Sequence, residues 1–386
     1  MTILETLSMK AGKNIEPGEI LEFSVDIALS HENTWLVIEK FRETGKKLFS
    51  NKKIFIVLDH RSPAESESTA NLHARIRNFV RENLIEHFYD VGNGVCHEVL
   101  AESGLVSRGT LVIGTDSHTP TAGFGSAVGI GVGATDMAYV WATGRIYLKV
   151  PEVKIVEFRG SAQQNVMAYD VGLWTLSKLG MGYEYTAFEL AGEYIFKLHS
   201  SGKKTLCNLL VETGAKTIAV SDCQNHEIKP YSIIEVSELA PAVALPGNPA
   251  DVKNAGDLNG VEVDQIFVGT CTSGRLEDIA MLASVLKNRK VRKDVRMIVS
   301  PATKNVLSRS VELGYIKILL DAGCTILPPG CGPCLGAHMG VLGDDEACLS
   351  AGNRNYHGRM GSKHAKIYLA SPYTCARAGI SGMIEG

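Results

Sequence analysis

The sequence predicts an α/β fold with mostly parallel sheets, divided into two or three domains. Its 386 residues are more than one hydrophobic core usually organises. Short apolar runs typical of buried strands alternate with segments of helical periodicity, and glycine-rich loops follow several of these runs. Such alternation is typical of helices layered on a parallel sheet.

In the N-terminal part, two helices alternate with two buried strands. Apolar residues at helical spacing predict helices at 34–43 and 70–83, and apolar runs predict strands at 53–58 and 111–113. A glycine-rich stretch then reaches Gly133. It lacks the glycine spacing and the acidic residue of a dinucleotide-binding loop, so we do not expect a nucleotide there.

The pattern changes after residue 149. Alternating polar and apolar residues at 153–158 predict an edge strand, followed by a helix at 166–180 and a strand at 217–220. Four prolines between 228 and 257 predict a linker. Beyond it a second βαβ region is expected, with strands at 265–268, 295–299 and 325–327 and helices at 276–287 and 306–313.

Composition argues against several classes of protein. The net charge is −3 with both signs interspersed, so neither a nucleic acid nor an anionic membrane is expected as a partner. The apolar stretches are too short to span a bilayer, and the N-terminus lacks a signal-peptide core, which predicts a cytoplasmic protein. Nine unevenly spaced cysteines do not resemble a disulfide framework and favour metal binding or catalysis.

Three cysteines lie in two loops suited to holding a metal centre. Cys331 and Cys334 form a Cys-x-x-Cys within a glycine- and proline-rich loop, where glycines permit close approach and prolines stiffen the chain. Cys271 lies between a predicted strand and a predicted helix, where a helix N-terminus would favour the thiolate. Three thiolates around an iron–sulfur cluster would leave one iron open for Lewis-acid chemistry.

Other interpretations of these cysteines remain open from the residues alone. A Cys-x-x-Cys also fits a structural zinc site or a redox pair. Cys324 could supply a fourth ligand and close the site, although its position before a strand predicts a core residue. The remaining thiols are expected to be ordinary ones, at Cys96, Cys207, Cys223, Cys348 and Cys375.

Polar side chains cluster where predicted strands end, which is where α/β proteins build their sites. Asp59 and His60 follow the first strand, and the segment from Asp116 to His118 follows the second. A carboxylate beside a histidine can fix its tautomer or its charge, although such pairs are often purely structural. Arg354 and Arg359, five residues apart in a glycine-containing loop, suit a carboxylate ligand.

The motifs taken together resemble the aconitase family along nearly the whole chain and in the family's order. They are DH at Asp59, GTDSHT at Gly114, NLLVETGAK at Asn208, GTCTSGR at Gly269, PGCGPCLG at Pro329 and GNRNYHGR at Gly352. The chain is most similar to the large subunits of the family's two-subunit members. The resemblance implies three aconitase-type α/β domains around a 4Fe-4S cluster, at residues 1–152, 153–257 and 258–386.

The resemblance also implies roles for individual residues. Those matching cluster ligands are Cys271, Cys331 and Cys334. Those matching catalytic residues are Asp59, His60, His97, Asp116, His118 and Glu212. Those matching substrate- or cluster-neighbouring residues are His31, Ser117, Asn208, Asn353, Arg354 and Arg359. One segment departs from the two-subunit pattern, which usually has histidine–aspartate followed by a threonine and a nearby proline. This chain has His31, Glu32 and Trp35 there.

The implied reaction removes water from a hydroxy di- or tricarboxylic acid and adds it back with the hydroxyl moved. Isopropylmalate, used in leucine biosynthesis, is the first expectation, and homocitrate, citramalate or dimethylmalate are alternatives. The family's mobile C-terminal swivel domain, which carries the catalytic base, is expected on a separate small subunit. An iron-sensing, RNA-binding relative is a further alternative, against which the acidic net charge argues.

Overall fold

Three larger sheets and a two-stranded ribbon organise the chain, in a computed structural model that describes residues 1–221 and 229–386. Cys223 and the first residue of the predicted linker lie outside the described residues. The expectation of α/β layers with mostly parallel sheets is confirmed, because each large sheet is covered by helices and most neighbouring strands run parallel. Among the described residues, no helix has the length and apolar character needed to cross a membrane.

The first sheet holds five parallel strands in the order β4-β3-β2-β5-β6. Its region contains α1 (Ile3–Ala11), β1 (Ile20–Ser24), β2 (Ile27–Ser30), α2 (Thr34–Glu43), β3 (Ile54–Val57), α3 (Glu67–Glu82), β4 (His87–Tyr89), α4 (Cys96–Glu102), β5 (Leu111–Gly114), β6 (Val128–Gly131), α5 (Ala134–Thr143) and β7 (Arg145–Lys149). Strands β1 and β7 form a separate antiparallel ribbon. The chain order reverses beside β2, so a crevice opens at the carboxyl ends of β2 and β5.

Local sequence explains why these elements form. The four residues of β3 are fully buried because helices cover both faces of a parallel sheet, which is why the strand reads as a continuous apolar run. Helix α3 begins at Ser66, whose hydroxyl accepts the N–H of Thr69, and it buries Ile76, Phe79 and Val80 on one stripe.

The second sheet has four parallel strands in the order β10-β9-β8-β11. Its region contains β8 (Glu152–Arg159), α6 (Ala168–Leu179), β9 (Thr186–Ala191), α7 (Glu193–Lys197), α8 (Ser200–Leu209), β10 (Thr217–Val220) and β11 (Ser232–Glu235). The prediction that 153–158 is an edge strand is wrong. β8 lies between β9 and β11, and its alternation reflects one partly exposed face.

The third sheet has seven strands in the order β13-β12-β18-β17-β14-β15-β16. Its region contains β12 (Ala242–Ala244), β13 (Val252–Asn254), β14 (Gln265–Val268), α9 (Leu276–Leu286), β15 (Arg296–Val299), α10 (Lys304–Glu312), α11 (Tyr315–Ala322), β16 (Thr325–Ile326), β17 (Ala347–Ser350), β18 (Lys366–Ala370) and α12 (Pro372–Ser381). The strands from β18 to β16 run parallel, while β12 pairs antiparallel with both of its neighbours.

The predicted linker is wrong in one respect. Three strands, β11 to β13, lie within it, and β12 and β13 extend the third sheet. The three domain limits stay a prediction. Short 3₁₀ helices complete the described elements, at Thr119–Gly125, Leu210–Thr213, Val236–Glu238, Ala255–Leu258 and Gly332–Leu335.

Candidate active site

The site lies where the carboxyl ends of parallel strands from the first and third sheets face each other. In the first sheet, His31 follows β2, His60 comes soon after β3 and Asp116 soon after β5. These three strands are neighbours, so the loops after them meet at one edge, beside the point where the strand order reverses.

Asp59 and His60 form a buried pair that is held from both sides. One oxygen of Asp59 lies 2.7 Å from His60 Nδ1, and the other accepts the N–H of Cys96, the first residue of α4, at 2.7 Å. A helix N-terminus stabilises a carboxylate in this position. The second ring nitrogen of His60, Nε2, lies 3.2 Å from Asp116 Oδ2.

The two carboxylates determine the charge of His60. Burial by itself lowers the pKa of this imidazole, but the charge of Asp59 and the hydrogen bonds with Asp116 and Asp59 raise the pKa well above its usual value. The His60 ring is therefore an imidazolium at neutral pH, with a carboxylate oxygen near each nitrogen.

Asp116 connects this pair to two further histidines. Its Oδ1 lies 2.8 Å from Nε2 of His97, which projects from α4, and accepts the main-chain N–H of His118 at 2.7 Å. Burial favours the neutral acid, but the hydrogen bonds from His118, His60 and His97 hold the pKa of Asp116 well below its usual range. Asp116 is therefore an anion surrounded by three imidazoles.

The second sheet contributes an acidic residue through the 3₁₀ turn after α8. Glu212 Oε1 lies 2.8 Å from His118 Nε2 and accepts the Nε–H of Arg354 at 2.8 Å. Burial by itself would raise the pKa of Glu212, but the contacts with His118 and Arg354 lower it. Burial would lower the pKa of His118, but the contacts with Asp116 and Glu212 raise it. An ion-paired chain thus runs from Asp59 to Arg354.

The third sheet supplies the cysteine loops. Cys271 comes three residues after β14, and the residue before it, Thr270, has a φ of +73°. A β-branched residue in this conformation is strained by about 1–3 kcal/mol, and such strain concentrates at functional sites. Cys331 and Cys334 follow β16. Cys331 lies just before the 3₁₀ helix Gly332–Leu335, and Cys334 lies on it.

The Cys331 loop packs directly against the Asp59 turn. The N–H of Cys331 donates to the carbonyl oxygen of Asp59 at 3.1 Å. Gly330 precedes it with a φ of +155°, and a Cβ at this position would lie 3.0 Å from the same carbonyl. A side chain at this position would crowd the contact between the two loops, which glycine avoids.

The expectation that a helix N-terminus makes Cys271 a thiolate is wrong. Helix α9 begins five residues later, at Leu276. Burial and the neighbouring Cys334 thiol instead raise the pKa of Cys271 to about 12. Burial raises the pKa of Cys331 as well. A bound cation would have to stabilise the thiolate forms.

The spacing of the sulfurs bears on which metal fits. Within residues 1–221 and 229–386, only His31, Glu32, Asp59 and His60 bring three or more ligand atoms within 4.8 Å of one another. The sulfurs of Cys271, Cys331 and Cys334 are therefore spread more widely, although all line one pocket. Tetrahedral zinc holds its sulfurs only about 3.8 Å apart. The spacing favours a centre larger than a single ion.

Two buried asparagines surround the Cys271 sulfur. Asn353 Nδ2 lies 3.4 Å from Cys271 Sγ and 3.0 Å from Asn208 Oδ1, which also accepts the hydroxyl of Thr272 at 3.0 Å. Asn208 in turn donates to Thr121 at 2.8 Å. The Asn353 Oδ1 oxygen is buried without a hydrogen-bond partner, so the site presents an unused acceptor.

An open pocket of about 150 Å³ connects these groups. The Nε of Arg359 is buried without a hydrogen-bond partner, and the Nη2 of the same residue lies 3.9 Å from Cys334 Sγ. The pocket is lined by His60, Val95, His97, Asp116, Ser117, His118, Thr270, Cys271, Cys331, Cys334, Leu335, Asn353, Arg354 and Arg359.

Most of the site residues predicted from the sequence line this pocket, and the others contact lining residues from behind. His31 stacks on the His60 ring at 4.1 Å between centroids, and Asp59, Asn208 and Glu212 support lining residues. Cys324 lies elsewhere, in the hydrophobic core of the third sheet, so the structure does not favour it as a fourth ligand.

Sequence reasoning missed a buried ion network beside the Cys271 loop. Glu98, on α4, accepts the Nε–H of Arg275 at 2.8 Å and is also paired with Lys204, on α8. Arg275 further donates to the carbonyls of Thr272, at 2.9 Å, and Cys271, at 2.6 Å. Arg275 closes the GTCTSGR segment, which is the one signal that could have identified it.

Comparison with known proteins adds independent findings. The sequence model of the Aconitase family (aconitate hydratase) matches residues 6–229 and 228–382. The chain is 40% identical to 3-isopropylmalate dehydratase large subunit 1 of Methanopyrus kandleri, over 98% of this chain and 96% of the relative. It is 42% identical to the probable methanogen homoaconitase large subunit of Methanosarcina mazei, over 93% of this chain and 97% of the relative.

A solved structure has a related fold. The holo-form crystal structure of Thermococcus kodakaraensis aconitase X aligns with a TM-score of 0.56 at 14% identity, and the alignment covers 94% of this chain and 90% of that chain. At this identity the likeness concerns the fold.

Proposed function

Because the chain belongs to the aconitase family and is a hydro-lyase, we propose that it is the large subunit of a 3-isopropylmalate dehydratase. Such an enzyme interconverts 2- and 3-isopropylmalate by removing and re-adding water. One observation carries the proposal. Three buried cysteines, three histidines in contact with carboxylates and an arginine with an unpartnered Nε line a single pocket.

The residues fit a 4Fe-4S cluster. Cys271, Cys331 and Cys334 would hold it, because thiolates are the ligands that iron–sulfur clusters take. Their three sulfurs do not all lie within 4.8 Å of one another, a wider spacing than the ~3.8 Å of tetrahedral zinc. Asn353 Nδ2 lies 3.4 Å from Cys271 Sγ, so an amide donor stands beside a thiolate that would hold the cluster, and the buried Oδ1 is left to accept from a hydroxyl or water that enters the pocket. When bound, a cluster with one iron free of protein ligands supplies Lewis acidity toward the substrate hydroxyl.

The histidines handle the proton of the departing hydroxide. His60 is cationic between Asp59 and Asp116, and it lines the pocket, so its ring can donate a proton there. Asp116 fixes the direction of His97, and Glu212 fixes that of His118. Because carboxylates hold all three rings, their orientations are set before substrate enters.

The arginines bind substrate carboxylate. Arg359 has an unpartnered Nε at the pocket, whereas Arg354 is already paired with Glu212 and keeps its Nη groups for an incoming anion. A planar guanidinium binds a carboxylate through two parallel hydrogen bonds. The exposed Ser117 adds a hydroxyl at the rim.

A small subunit completes the enzyme. The relatives are named large subunits, which implies a partner chain. The pocket is open, and its lining offers acid groups and carboxylate-binding groups. We assign the catalytic base to the partner, on a swivel domain that closes the pocket over the substrate.

A homoaconitase is the second candidate, favoured by the 42% identity to the Methanosarcina mazei protein. The two substrates differ at one end, where isopropylmalate has a branched apolar group and homocitrate has another carboxylate. Val95 and Leu335 provide an apolar part of the pocket wall, which favours the branched group.

Anaerobic co-expression with the candidate small subunit tests the proposal. The purified complex is assayed with 2- and 3-isopropylmalate, homocitrate, citramalate and dimethylmalate, following absorbance of the unsaturated intermediate, and its iron and sulfide are measured. We expect turnover of isopropylmalate that requires both chains and is lost on oxidation.

Different results would point elsewhere. Preferred turnover of homocitrate would assign the chain to the homoaconitases. Stoichiometric zinc without sulfide would contradict the cluster.

A further inference from the structure

Glu32 contacts the main chain of the turn that carries His60. One carboxylate oxygen, Oε2, accepts the N–H of His60 at 3.0 Å, and the other, Oε1, accepts the N–H of Arg61 at 2.9 Å. The residue is 6% exposed. Two charge-assisted bonds from successive amides fix both the position and the direction of the turn.

Three imidazoles surround the same carboxylate. His31 Nδ1 lies 3.7 Å from Oε2, His60 Nδ1 3.9 Å from Oε2, and His73 Nε2 3.8 Å from Oε1. Although burial acts in the opposite direction, the contact with His31 and the charge of His60 hold the pKa of Glu32 below its usual range. The group is an anion throughout the physiological pH range.

The ligand atoms of His31, Glu32, Asp59 and His60 lie within 4.8 Å of one another, which raises the question of a second metal. The carboxylate oxygens are already occupied. Those of Glu32 accept two amides, and those of Asp59 contact His60 and the N–H of Cys96. A metal ion would have to break these bonds, so the cluster of side chains serves another purpose.

We propose that Glu32 is a positioning residue for the His60 turn, which it holds through the main chain while His31 supports the His60 ring by stacking. Asp59 and Asp116 orient the imidazole through its nitrogens, and the Asp59 carbonyl is held by the N–H of Cys331, but the N–H groups of His60 and Arg61 are held by Glu32. Glu32 holds them from the neighbouring strand, β2, because it lies two residues beyond its end. The inference deepens the proposed function, since it concerns the residue that protonates the leaving group.

Side-chain length matters to this arrangement. An aspartate here would withdraw the carboxylate by about one carbon–carbon bond, ~1.5 Å. It could keep at most one of the two amide bonds without movement of the turn. The amide exchange rate and the kcat of Glu32→Asp are therefore expected to lie between those of wild type and those of Glu32→Gln.

The experiment compares Glu32→Gln and Glu32→Asp with Glu65→Gln in the anaerobic two-subunit complex. Glu65 is a matched control because it contacts the same turn through side chains only, at 2.8 Å from Arg61 Nη1 and 2.7 Å from Thr69 Oγ1. Three properties are measured: hydrogen exchange of the peptide containing the amides of His60 and Arg61, iron and sulfide content with the visible spectrum, and kcat and KM.

We expect Glu32→Gln to expose these amides, because a carboxamide offers one acceptor oxygen where two are used. Their exchange should accelerate about tenfold or more, as the loss of a charge-assisted bond implies. Iron, sulfide and spectrum should match wild type, since the cysteine loops are untouched. kcat should fall on the order of a hundredfold, the typical effect of displacing a reacting group by about 1 Å, with a smaller change in KM. Glu65→Gln should stay near wild type in all three.

Two results would overturn the proposal: unchanged exchange at His60 and Arg61 in both Glu32 variants, or equal damage from Glu65→Gln. If Glu32→Gln does not fold, the graded effect of Glu32→Asp on exchange decides. Exchange is measured independently of turnover. Accelerated exchange in a complex that turns over none of the acids would therefore reject the proposed function and leave the positioning role standing.

Discussion

At the scale of single residues, the site is a series of buried acids and bases in which each charge faces its opposite. His60 lies between Asp59 and Asp116, and His118 contacts Asp116 and Glu212. Asp59, His60, Asp116 and His118 are identified in the sequence because they follow apolar strands, whereas Glu212, which follows α8, is identified only through the family resemblance. The sequence does not reveal which oxygen meets which nitrogen, since that depends on how three sheets dock.

The first prediction concerns the cysteines. Cys331→Ser should abolish the cluster and activity, because a hydroxyl of high pKa replaces one of three thiolates at the pocket. Cys324→Ala should keep both, because Cys324 packs in the core of the third sheet. Iron, sulfide and visible absorbance of anaerobically purified protein provide the measurement. A brown, active Cys331→Ser protein would remove this residue from the ligand set.

A second prediction at this scale concerns Asp170, a buried acid outside the site. Its oxygens accept the N–H groups of Met167 and Ala242, at 2.8 and 2.9 Å, yet burial raises its pKa to about 7. Between pH 3.8, the ordinary value, and pH 7, the folded chain holds a proton that the unfolded chain has released. Stability from this group therefore falls as pH rises through that window, by about 1.4 kcal/mol per pH unit, and is constant above it.

Asp170→Asn tests this sign. The variant carries no charge at any pH, so its melting temperature relative to wild type should rise from pH 5 to pH 7 and then level off. Paired thermal unfolding curves at pH 5, 6, 7 and 8 measure the difference. A difference that does not vary with pH would show that Asp170 is ionised throughout.

At the scale of elements, periodicity locates helices and buried strands better than it locates edges. Helix α2 and the strands β10 and β14 lie where the sequence predicts them. Strands β10 and β14 are continuous runs of four buried residues, whereas the strands in the predicted linker are three residues long or only partly buried and were therefore missed. Pairing with a neighbour defines such strands, and pairing is not a local property of the sequence.

The contact between the Cys331 loop and the Asp59 turn yields the third prediction. Gly330→Ala should displace the loop, because the new Cβ would lie 3.0 Å from the Asp59 carbonyl and the φ of +155° disfavours a side chain. We expect lower iron content and activity. Gly343→Ala is the control, since its Cβ would meet only Glu346, at an ordinary 3.6 Å. Equal iron content in the two variants would contradict a role for the close approach.

At the scale of the whole molecule, Glu98 connects the regions of all three sheets. It lies on α4 beside the first sheet, pairs with Lys204 on α8 beside the second, and pairs with Arg275 at the start of α9 on the third. None of the three is more than 9% exposed. A charged residue in a sequence is normally taken as a surface residue, so this network could not be predicted before the domains were assembled.

The fourth prediction follows from that burial. Glu98→Gln should destabilise the fold by about 3–5 kcal/mol, because it removes the carboxylate that pairs with the buried side chains of both Arg275 and Lys204. Glu102→Gln, one turn later on the same helix at an exposed position, should cost far less. Thermal unfolding of both variants and wild type, with the cluster content fixed, measures the effect. Similar melting temperatures for the two variants would show that the network adds little.

The three cysteines that line the pocket come from the third sheet, whereas the histidines that line it come from the first sheet and are oriented partly by the second. The thiols that would hold a cluster and the imidazoles that would move a proton therefore depend on different parts of the fold. A substitution that turns one of these imidazoles away without moving the Asp59 turn, against which the Cys331 loop packs, would interrupt the proton path and leave the thiols in place. With the proposed cluster bound, such a variant would keep its visible absorbance after its turnover is lost, so absorbance would not report activity.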